Sequence, residues 1–177
     1  YMNDSLQGIP GRTYTLTVIA EGKDYTATSI MPHSLHLDSL SYEYLSGGFG
    51  SRKKEAYKLH CYFTDPAGID NYGRFKVYKN EKLVKGFFLY RDKYTDGNPI
   101  DFSNFKEEVF DLNDTLHVEL LTVDEATYDY FSTLTNVSGK SSPGPSATPA
   151  NPNTNLSNDA LGYFGAFTIR TKTIIIQ

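Results

Sequence analysis

Oxygen-bearing side chains crowd one turn of the sequence and are the first candidates for metal chemistry. Asp65, Asp70 and Asn71 lie within seven residues of one another, and carboxylate and amide oxygens are the ligands that Ca²⁺ takes in loops. Their spacing does not match the calcium loop of an EF-hand, and Asp and Asn are common in turns because they bond their own backbone. We therefore predict no metal site and keep these three residues as the weak candidates for one.

Side chains suited to acid–base chemistry are present without a recognisable catalytic pattern. The histidines, which form no zinc-protease motif, are His33, His36, His60 and His117. Neighbouring carboxylates such as Glu107 and Glu108 would serve glycoside hydrolysis only if two carboxylates faced each other across a cleft. Asp124, beside Glu125, is better explained as a helix cap. The sequence therefore predicts no catalytic residues.

The single cysteine, Cys61, excludes an intrachain disulfide and a multi-cysteine metal site. Alternation places Cys61 on one strand face with Leu59 and Phe63, which indicates a small buried side chain and not a nucleophile. The sequence contains no Gly-x-Ser-x-Gly elbow, phosphate-binding loop or dinucleotide fingerprint. We expect no cofactor and no enzymatic activity.

Aromatic and amide side chains late in the chain are the candidates for binding. Exposed aromatic rings can stack on sugars or anchor a protein partner, although packing in the core is the alternative for each ring. The asparagines belong to a long polar loop that precedes an aromatic stretch. The candidate binding residues are Tyr128, Tyr130, Tyr163, Phe164, Asn151 and Asn155.

Composition favours a β protein that does not bind nucleic acid. Aromatic residues make up 14% of the chain, with Tyr 14, Phe 11 and Trp 0, and aromatic side chains fit the pleated surface of a sheet. The net charge is -4 and no basic patch stands out, so the electrostatic footprint of a phosphate-backbone binder is missing. No apolar run is long enough for a transmembrane helix. The opening Tyr1-Met2-Asn3 is not a natural start, so we expect an upstream portion.

Period-two alternation predicts most of the elements. A hairpin is expected over residues 11–30, with a turn at residues 21–24. Further strands are predicted at residues 35–45, 56–64, 72–78, 83–90, 115–122, 161–169 and 171–176, with an irregular segment at 91–104. The hairpin needs a sheet to be stable. It either closes an immunoglobulin-like part whose other strands lie upstream or docks on the rest of this chain.

One helix and one long loop interrupt the strand pattern. Asp124 is a suitable N-cap, and apolar residues recur from Ala126 to Val137 at helical spacing, which predicts a helix over about 124–137. Residues 138–160 form a loop rich in Pro, Asn and Ser. We predict a mainly β fold, an antiparallel sandwich or partly open barrel, with the helix packed across it or at one end. Residues 1–33 would be the closing hairpin of the immunoglobulin-like part, and residues 34–177 a β-rich domain.

The order of several short motifs carries a family resemblance. In chain order they are Pro10-Gly11-x-x-Tyr14-x-Leu16, Met31-Pro32, Phe63-Thr64-Asp65-Pro66 with Asn71-Tyr72, Asp96-Gly97, Asp114-Thr115 through Val118-Glu119-Leu120, Tyr128-x-Tyr130-Phe131, Asn151-Pro152, Asn155-Leu156 and Ala160-Leu161-Gly162-Tyr163-Phe164. Over nearly the whole chain, this order resembles the Bacteroidetes envelope lipoprotein family known as domain of unknown function 4249.

The resemblance implies a location and a role. Such proteins are exported lipoproteins, often encoded beside TonB-dependent outer-membrane receptors, and the lipid-bearing cysteine would lie upstream of this chain. We expect a non-catalytic domain anchored at the outer membrane through that lipid, accessory to nutrient uptake, with an outer-membrane receptor as its partner. A carbohydrate-binding module that uses exposed aromatics to hold a glycan is the alternative, and an unrecognised glycoside hydrolase is the third hypothesis.

Overall fold

The computed structural model describes residues 7–46, 55–93, 96–105, 108–138 and 151–177. Within these ranges the fold is mainly β, as the composition predicts. The elements are β1 (Thr13–Ala20), β2 (Lys23–Ile30), β3 (His36–Ser46), β4 (Glu55–Thr64), β5 (Tyr72–Lys79), β6 (Lys82–Leu83), β7 (Phe88–Arg91), β8 (Pro99–Phe102), β9 (Thr115–Val123), α1 (Glu125–Ser138) and β10 (Thr168–Ile175).

The first two strands form the predicted hairpin. β1 and β2 pair antiparallel, from Thr13 opposite Ile30 to Ala20 opposite Lys23. Glu21 and Gly22 make the connection with φ angles of 51° and 72°. Two residues with positive φ are the signature of the type I′ turn, whose twist matches that of the paired strands. Glycine supplies the second of these angles without strain.

Two further sheets enclose the main core and confirm the antiparallel sandwich. One sheet has the order β3-β4-β8; the other has the order β10-β9-β5-β6, with β7 also paired to β5. Alternate side chains of each sheet point into a shared apolar interior, as the period-two pattern requires. The fully buried members include Leu59, Phe63, Phe75, Val77, Leu116 and Val118.

The structure corrects two of the strand predictions in the middle of the chain. The segment 91–104, expected to be irregular, contains β8, which pairs with β4 so that Phe102 lies opposite Cys61. With four residues and a proline at its start, β8 is too short for alternation to be visible. The predicted strand 83–90 is divided into β6 and β7 by a stretch containing Gly86, whose φ is 137°.

The stretch after the long loop also differs from the prediction. Residues 161–167 form no strand; β10 begins at Thr168. The physical reason is local, because the backbone N–H and C=O of Phe164 are both bonded to the side chain of Asn155. Those groups are therefore not available for a ladder with a neighbouring strand.

The helix begins where the sequence places it. The Asp124 Oδ1 atom accepts a hydrogen bond of 2.9 Å from the backbone N–H of Thr127, so Asp124 is the N-cap of α1. The side chain of Val137 and the loop residues 139–150 lie outside the described part of the chain. No helix among the described residues is long and apolar enough to cross a bilayer.

The chain divides into two compact units. The first comprises residues 1–33 and 122–168, and therefore holds the β1–β2 hairpin, α1 and the segment after the long loop. The second comprises residues 34–121 and 169–177, and holds the core of the sandwich. The helix, placed with the β-rich domain on sequence grounds, thus shares a unit with the hairpin.

Candidate functional site

The segment of residues 151–167, called here the pinned segment, contains four of the six candidate binding residues. Asn155 holds its centre. The Asn155 Nδ2 atom donates to the carbonyl oxygens of Phe164, at 2.7 Å, and Thr28, at 3.1 Å. Its Oδ1 atom accepts from the backbone N–H of Phe164 at 3.0 Å. The side chain of Asn155 thus bonds the backbone of Phe164 within the segment and the backbone of Thr28 in β2.

Two further residues of the pinned segment, Ser157 and Asn158, are bonded to β2. Ser157 donates its backbone N–H to the carbonyl of Thr26 at 2.8 Å, and its Oγ accepts from the Thr26 N–H at 2.8 Å. The Nδ2 atom of Asn158 donates to the carbonyl of Asp24 at 2.8 Å. These bonds satisfy the outer edge of β2, which would otherwise present unpaired backbone groups. Residues 151–160, the described half of the long loop, are therefore attached to the hairpin.

Asp124 also connects the helix to the hairpin. Its Oδ2 atom accepts from the Ser29 hydroxyl at 2.5 Å and from the Ile30 N–H at 3.2 Å. The same hydroxyl oxygen of Ser29 accepts from the Ala166 N–H at 2.8 Å. One carboxylate and one buried hydroxyl therefore join α1, β2 and the pinned segment. The sequence identifies Asp124 as a cap, but the link to Ser29, 95 residues away, has no local signal.

Two of the candidate aromatic residues meet in a cluster. The ring centroids of Tyr130 and Tyr163 are 4.7 Å apart, and those of Phe131 and Tyr163 are 4.8 Å apart. Phe131 is buried, whereas Tyr163 retains 36% of its surface exposed. Tyr128 and Phe164 are half-buried and Asn151 is exposed. Tyr163 therefore packs on the helix while presenting part of its ring to solvent.

Exposed apolar side chains continue along the pinned segment. Leu161 is 70% exposed and Phe167 is 42% exposed, while Gly162, Phe164 and Ala166 are half-buried. Leu161, Tyr163 and Phe167 are called the apolar row. Neither Leu161 nor Phe167 is among the residues expected to bind. The signal that could have identified them is the apolar character of positions 161, 163 and 167 directly after a polar loop.

In the sandwich unit, a histidine lies between two carboxylates. The Nδ1 atom of His60 is 2.8 Å from an oxygen of Asp101, and its Nε2 atom is 3.5 Å from one of Glu43. The adjacent Cys61 points the opposite way, into the core. Burial, and to a lesser degree the negative charge of Asp101, raise the pKa of the Cys61 thiol far above its ordinary value. The thiol is thus protonated at neutral pH and is not an activated nucleophile.

Carboxylates contribute to the wall of a surface cavity of about 360 Å³ in the sandwich unit. Glu43, Lys58 and Glu108 are among the residues that line it. Of the other carboxylates considered from the sequence, Asp124 is the helix cap and Glu107 lies outside the described residues.

Two loops of the sandwich unit bring acidic side chains together. Asp65 lies with Asp92 and Asp96, and one carboxylate oxygen from each is within 4.8 Å of the other two. The weak metal candidates of the sequence are arranged differently. Asp70 is exposed, and the amide of Asn71 donates to the carbonyl of Ile69 at 2.7 Å. Asp65 therefore has carboxylate neighbours that are distant in sequence.

Comparison with known proteins identifies one match that covers almost the entire chain. A family model described as Domain of unknown function (DUF4249) matches residues 1–173. Neither a curated protein nor a solved structure matches the chain.

Proposed function

The chain belongs to the family described as domain of unknown function DUF4249, and on that premise we propose that it is a non-catalytic binding domain of the bacterial cell envelope. In this proposal it is part of a Bacteroidetes lipoprotein that is held at the outer membrane by an upstream lipid. It acts as an accessory to a TonB-dependent nutrient-uptake system, and its partner is the outer-membrane receptor. The observation that supports the proposal is the apolar row on the pinned segment.

The apolar row has the chemistry of a protein-binding surface. Aromatic and aliphatic side chains that become desolvated at the centre of an interface supply most of its binding energy. Leu161 is 70% exposed, and Tyr163 and Phe167 lie two and six residues further along. Exposed apolar side chains that are concentrated in one short segment favour a docking role more than scattered ones do.

The attachment of the segment adds to this argument. Asn155, Ser157 and Asn158 bond the segment to the backbone of β2. A binding surface that is already held in place loses less conformational entropy when a partner docks. The pinned segment therefore offers its apolar row in a fixed arrangement, which favours recognition of a folded protein surface.

A glycan-binding module is the second candidate, and one observation favours it. The partly exposed ring of Tyr163 is backed by Tyr130, with ring centroids 4.7 Å apart. Aromatic rings that are held rigidly and exposed on one side are the usual stacking platforms for sugars. In that case a free oligosaccharide, and not a receptor protein, would bind at Tyr163.

Purification of the membrane-anchored protein tests the proposal. The wild-type protein, extracted in mild detergent and cross-linked, is expected to co-purify with an outer-membrane receptor that mass spectrometry identifies. Leu161→Ser and Phe167→Ser should abolish this association, because they remove exposed apolar contacts without disturbing the core. Leu83→Ser is the matched control, since Leu83 is 54% exposed but belongs to β6.

Several results would contradict the proposal. Persistent absence of a receptor from the wild-type preparation would contradict the docking role. An equal loss of receptor association in Leu83→Ser would contradict it as well. Oligosaccharide binding that disappears in Tyr163→Ala while receptor association is absent would establish the glycan-binding alternative. Glycosidase activity that is lost in Glu43→Gln or Glu108→Gln would show that the domain is a hydrolase.

A further inference from the structure

Two loops of the sandwich unit are interlocked around three aspartates. One loop follows β4 and contains Asp65; the other follows β7 and contains Asp92 and Asp96. The backbone N–H of Gly97 donates to the Oδ2 atom of Asp65 at 3.3 Å, and the N–H of Gly68 donates to the Oδ1 atom of Asp96 at 2.7 Å. Each loop thus binds a carboxylate of the other loop.

A second pair of contacts fixes Asp92. Its Oδ2 atom accepts from the backbone N–H of Asn71 at 2.9 Å, and its own N–H donates to the carbonyl of Asn71 at 3.3 Å. The side-chain amide of Asn71 bonds the carbonyl of Ile69, within the same loop. These bonds hold the carboxylates in place through the protein backbone. The three side chains therefore form a preorganised group.

The geometry brings one oxygen from each carboxylate into a common space. These atoms, from Asp65, Asp92 and Asp96, all lie within 4.8 Å of one another. Two oxygens bound to one Ca²⁺ at about 2.3–2.6 Å can be separated by up to roughly 5 Å. For Mg²⁺, with bonds of about 2.0–2.1 Å, the upper limit is roughly 4.2 Å. Calcium accommodates the whole range of these separations.

A buried oxygen without a partner provides an independent reason to place a cation here. Asp65 is 1% exposed, and its Oδ1 atom is buried with no hydrogen-bond partner among the described residues. Asp92 is also buried, at 5% exposure. Buried carboxylates are normally paired or bound to a metal, since burial of an unbalanced charge is costly. Asp65 therefore contributes to the acidic group a buried carboxylate with one unsatisfied oxygen.

The neighbouring charges also favour a cation. The carboxylates of Asp92 and Asp96 lie beside that of Asp65, and like charges held this close repel one another. A divalent cation would remove this repulsion and bind the unsatisfied oxygen at once.

We propose that Asp65, Asp92 and Asp96 bind one calcium ion, with water molecules completing its coordination. All-oxygen ligands of this kind suit hard cations, and loops tolerate the irregular geometry that calcium accepts and magnesium does not. The ion would connect the loop after β4 to the loop after β7. The inference rests on the sandwich unit alone and does not depend on docking through the apolar row.

Calcium titration of the chelator-treated full chain tests this site. Isothermal titration calorimetry should show one Ca²⁺ per chain, with a Kd of about 10⁻⁵–10⁻³ M, the range of moderate to weak oxygen-ligand sites. Saturating Ca²⁺ should also raise the thermal unfolding midpoint, since it binds the folded state. Mg²⁺ alone should bind at least tenfold more weakly.

Charge-neutral variants locate the ion. Asp96→Asn should weaken Ca²⁺ binding at least tenfold, and because Asp96 is exposed the variant should fold like the wild type. Asp70→Asn is the matched control, because Asp70 is an exposed aspartate of the same turn that lies outside the acidic group. Its calcium affinity should equal that of the wild type.

Four outcomes would overturn the proposal. They are an absence of saturable binding at millimolar Ca²⁺, wild-type affinity in Asp96→Asn, an equal loss in Asp70→Asn, and equal affinity for Mg²⁺, which would contradict the assignment to calcium. Asp92→Asn provides a second check on the folded protein, confirmed by circular dichroism. Undiminished binding in that variant would likewise show that the ion is held elsewhere.

Discussion

The side chain of Asn155 pairs with the backbone of Phe164 as a neighbouring strand would. Its Nδ2 atom donates to the Phe164 carbonyl at 2.7 Å, and its Oδ1 atom accepts from the Phe164 N–H at 3.0 Å. A third bond, from Nδ2 to the carbonyl of Thr28, attaches this arrangement to β2. One amide therefore satisfies three backbone groups and determines the course of the pinned segment.

Replacement of the Asn155 amide should destabilise the folded protein. Asn155→Ala removes all three bonds, and we expect the free energy of unfolding to fall by about 1–3 kcal/mol, as when partly buried backbone groups lose their partners. Asn155→Asp should also destabilise the protein, because a carboxylate cannot donate to the carbonyls of Phe164 and Thr28. Urea denaturation measures both changes.

Asn151→Ala is the control for these variants, since Asn151 is an exposed residue of the same segment. Its effect should lie within about 0.5 kcal/mol, the usual range for surface substitutions. Wild-type stability in Asn155→Asp would show that the Asn155 amide does not donate these bonds.

A close approach between Gly165 and Thr127 provides a second prediction. A Cβ atom added to Gly165 would lie 2.7 Å from the Thr127 Oγ1 atom, which is shorter than real Cβ contacts. Thr127 is buried, so its side chain has little freedom to move away. Gly165→Ala should therefore lower the free energy of unfolding by about 1–3 kcal/mol, the usual cost of overpacking.

A double-mutant cycle isolates the steric cause. Thr127→Ala removes the hydroxyl, so Gly165→Ala should cost less in that background than in the wild type, with a coupling of about 0.5–2 kcal/mol measured by urea denaturation. Strictly additive effects would show that the penalty has another origin.

The ion pair of Lys79 and Asp114 should make stability depend on pH. The Lys79 Nζ atom lies 2.6 Å from an oxygen of Asp114, whose side chain is 8% exposed. Burial opposes ionisation of Asp114, but bonds from Lys79, the Asp111 N–H and Asn80 outweigh it and lower the pKa below the ordinary value of 3.8. A carboxylate with a lowered pKa in the folded state stabilises the protein above its ordinary pKa. That contribution is lost as the pH falls through the lowered value.

Comparison of the wild type with Asp114→Ala tests this pH dependence. The substitution should lower the free energy of unfolding by about 1–3 kcal/mol at neutral pH. The difference between wild type and variant should shrink as the pH falls below 3.8, when followed by denaturation at a series of pH values. Asp111→Ala is the control, because the Asp111 side chain is 39% exposed and should cost less. A difference that grows in acid would contradict the assigned direction of the pKa shift.

Much of the fold is readable from local patterns, and particular residues show why. Leu59, Cys61 and Phe63 alternate on β4 and are all buried, because successive side chains of a strand point to opposite faces. Glu21 and Gly22 form the tight turn that the hairpin pattern predicts. Asp124 caps α1 at the predicted residue. In each case the cause acts within a few residues.

The candidate sites are less visible because they depend on contacts between distant residues. Asp92, the carboxylate neighbour of Asp65, belongs to a loop 27 residues further along the chain. The spacing within the first turn instead points to Asp70 and Asn71, which are not part of the acidic group. The sequence places Leu161 and Phe167 in a strand, whereas in the structure both lie before β10 and are exposed. The short strand β8 depends on its partner β4 more than on its own four residues.

The sequence by itself determined the strand class, the hairpin turn, the start of the helix and the family, because alternation, turn geometry and capping act over short distances along the chain. Tertiary structure alone decided which carboxylates share one space and which apolar side chains remain in water. Those outcomes depend on contacts between distant segments, such as the bond from the Asn155 side-chain amide to the carbonyl of Thr28, and no local pattern encodes such a separation.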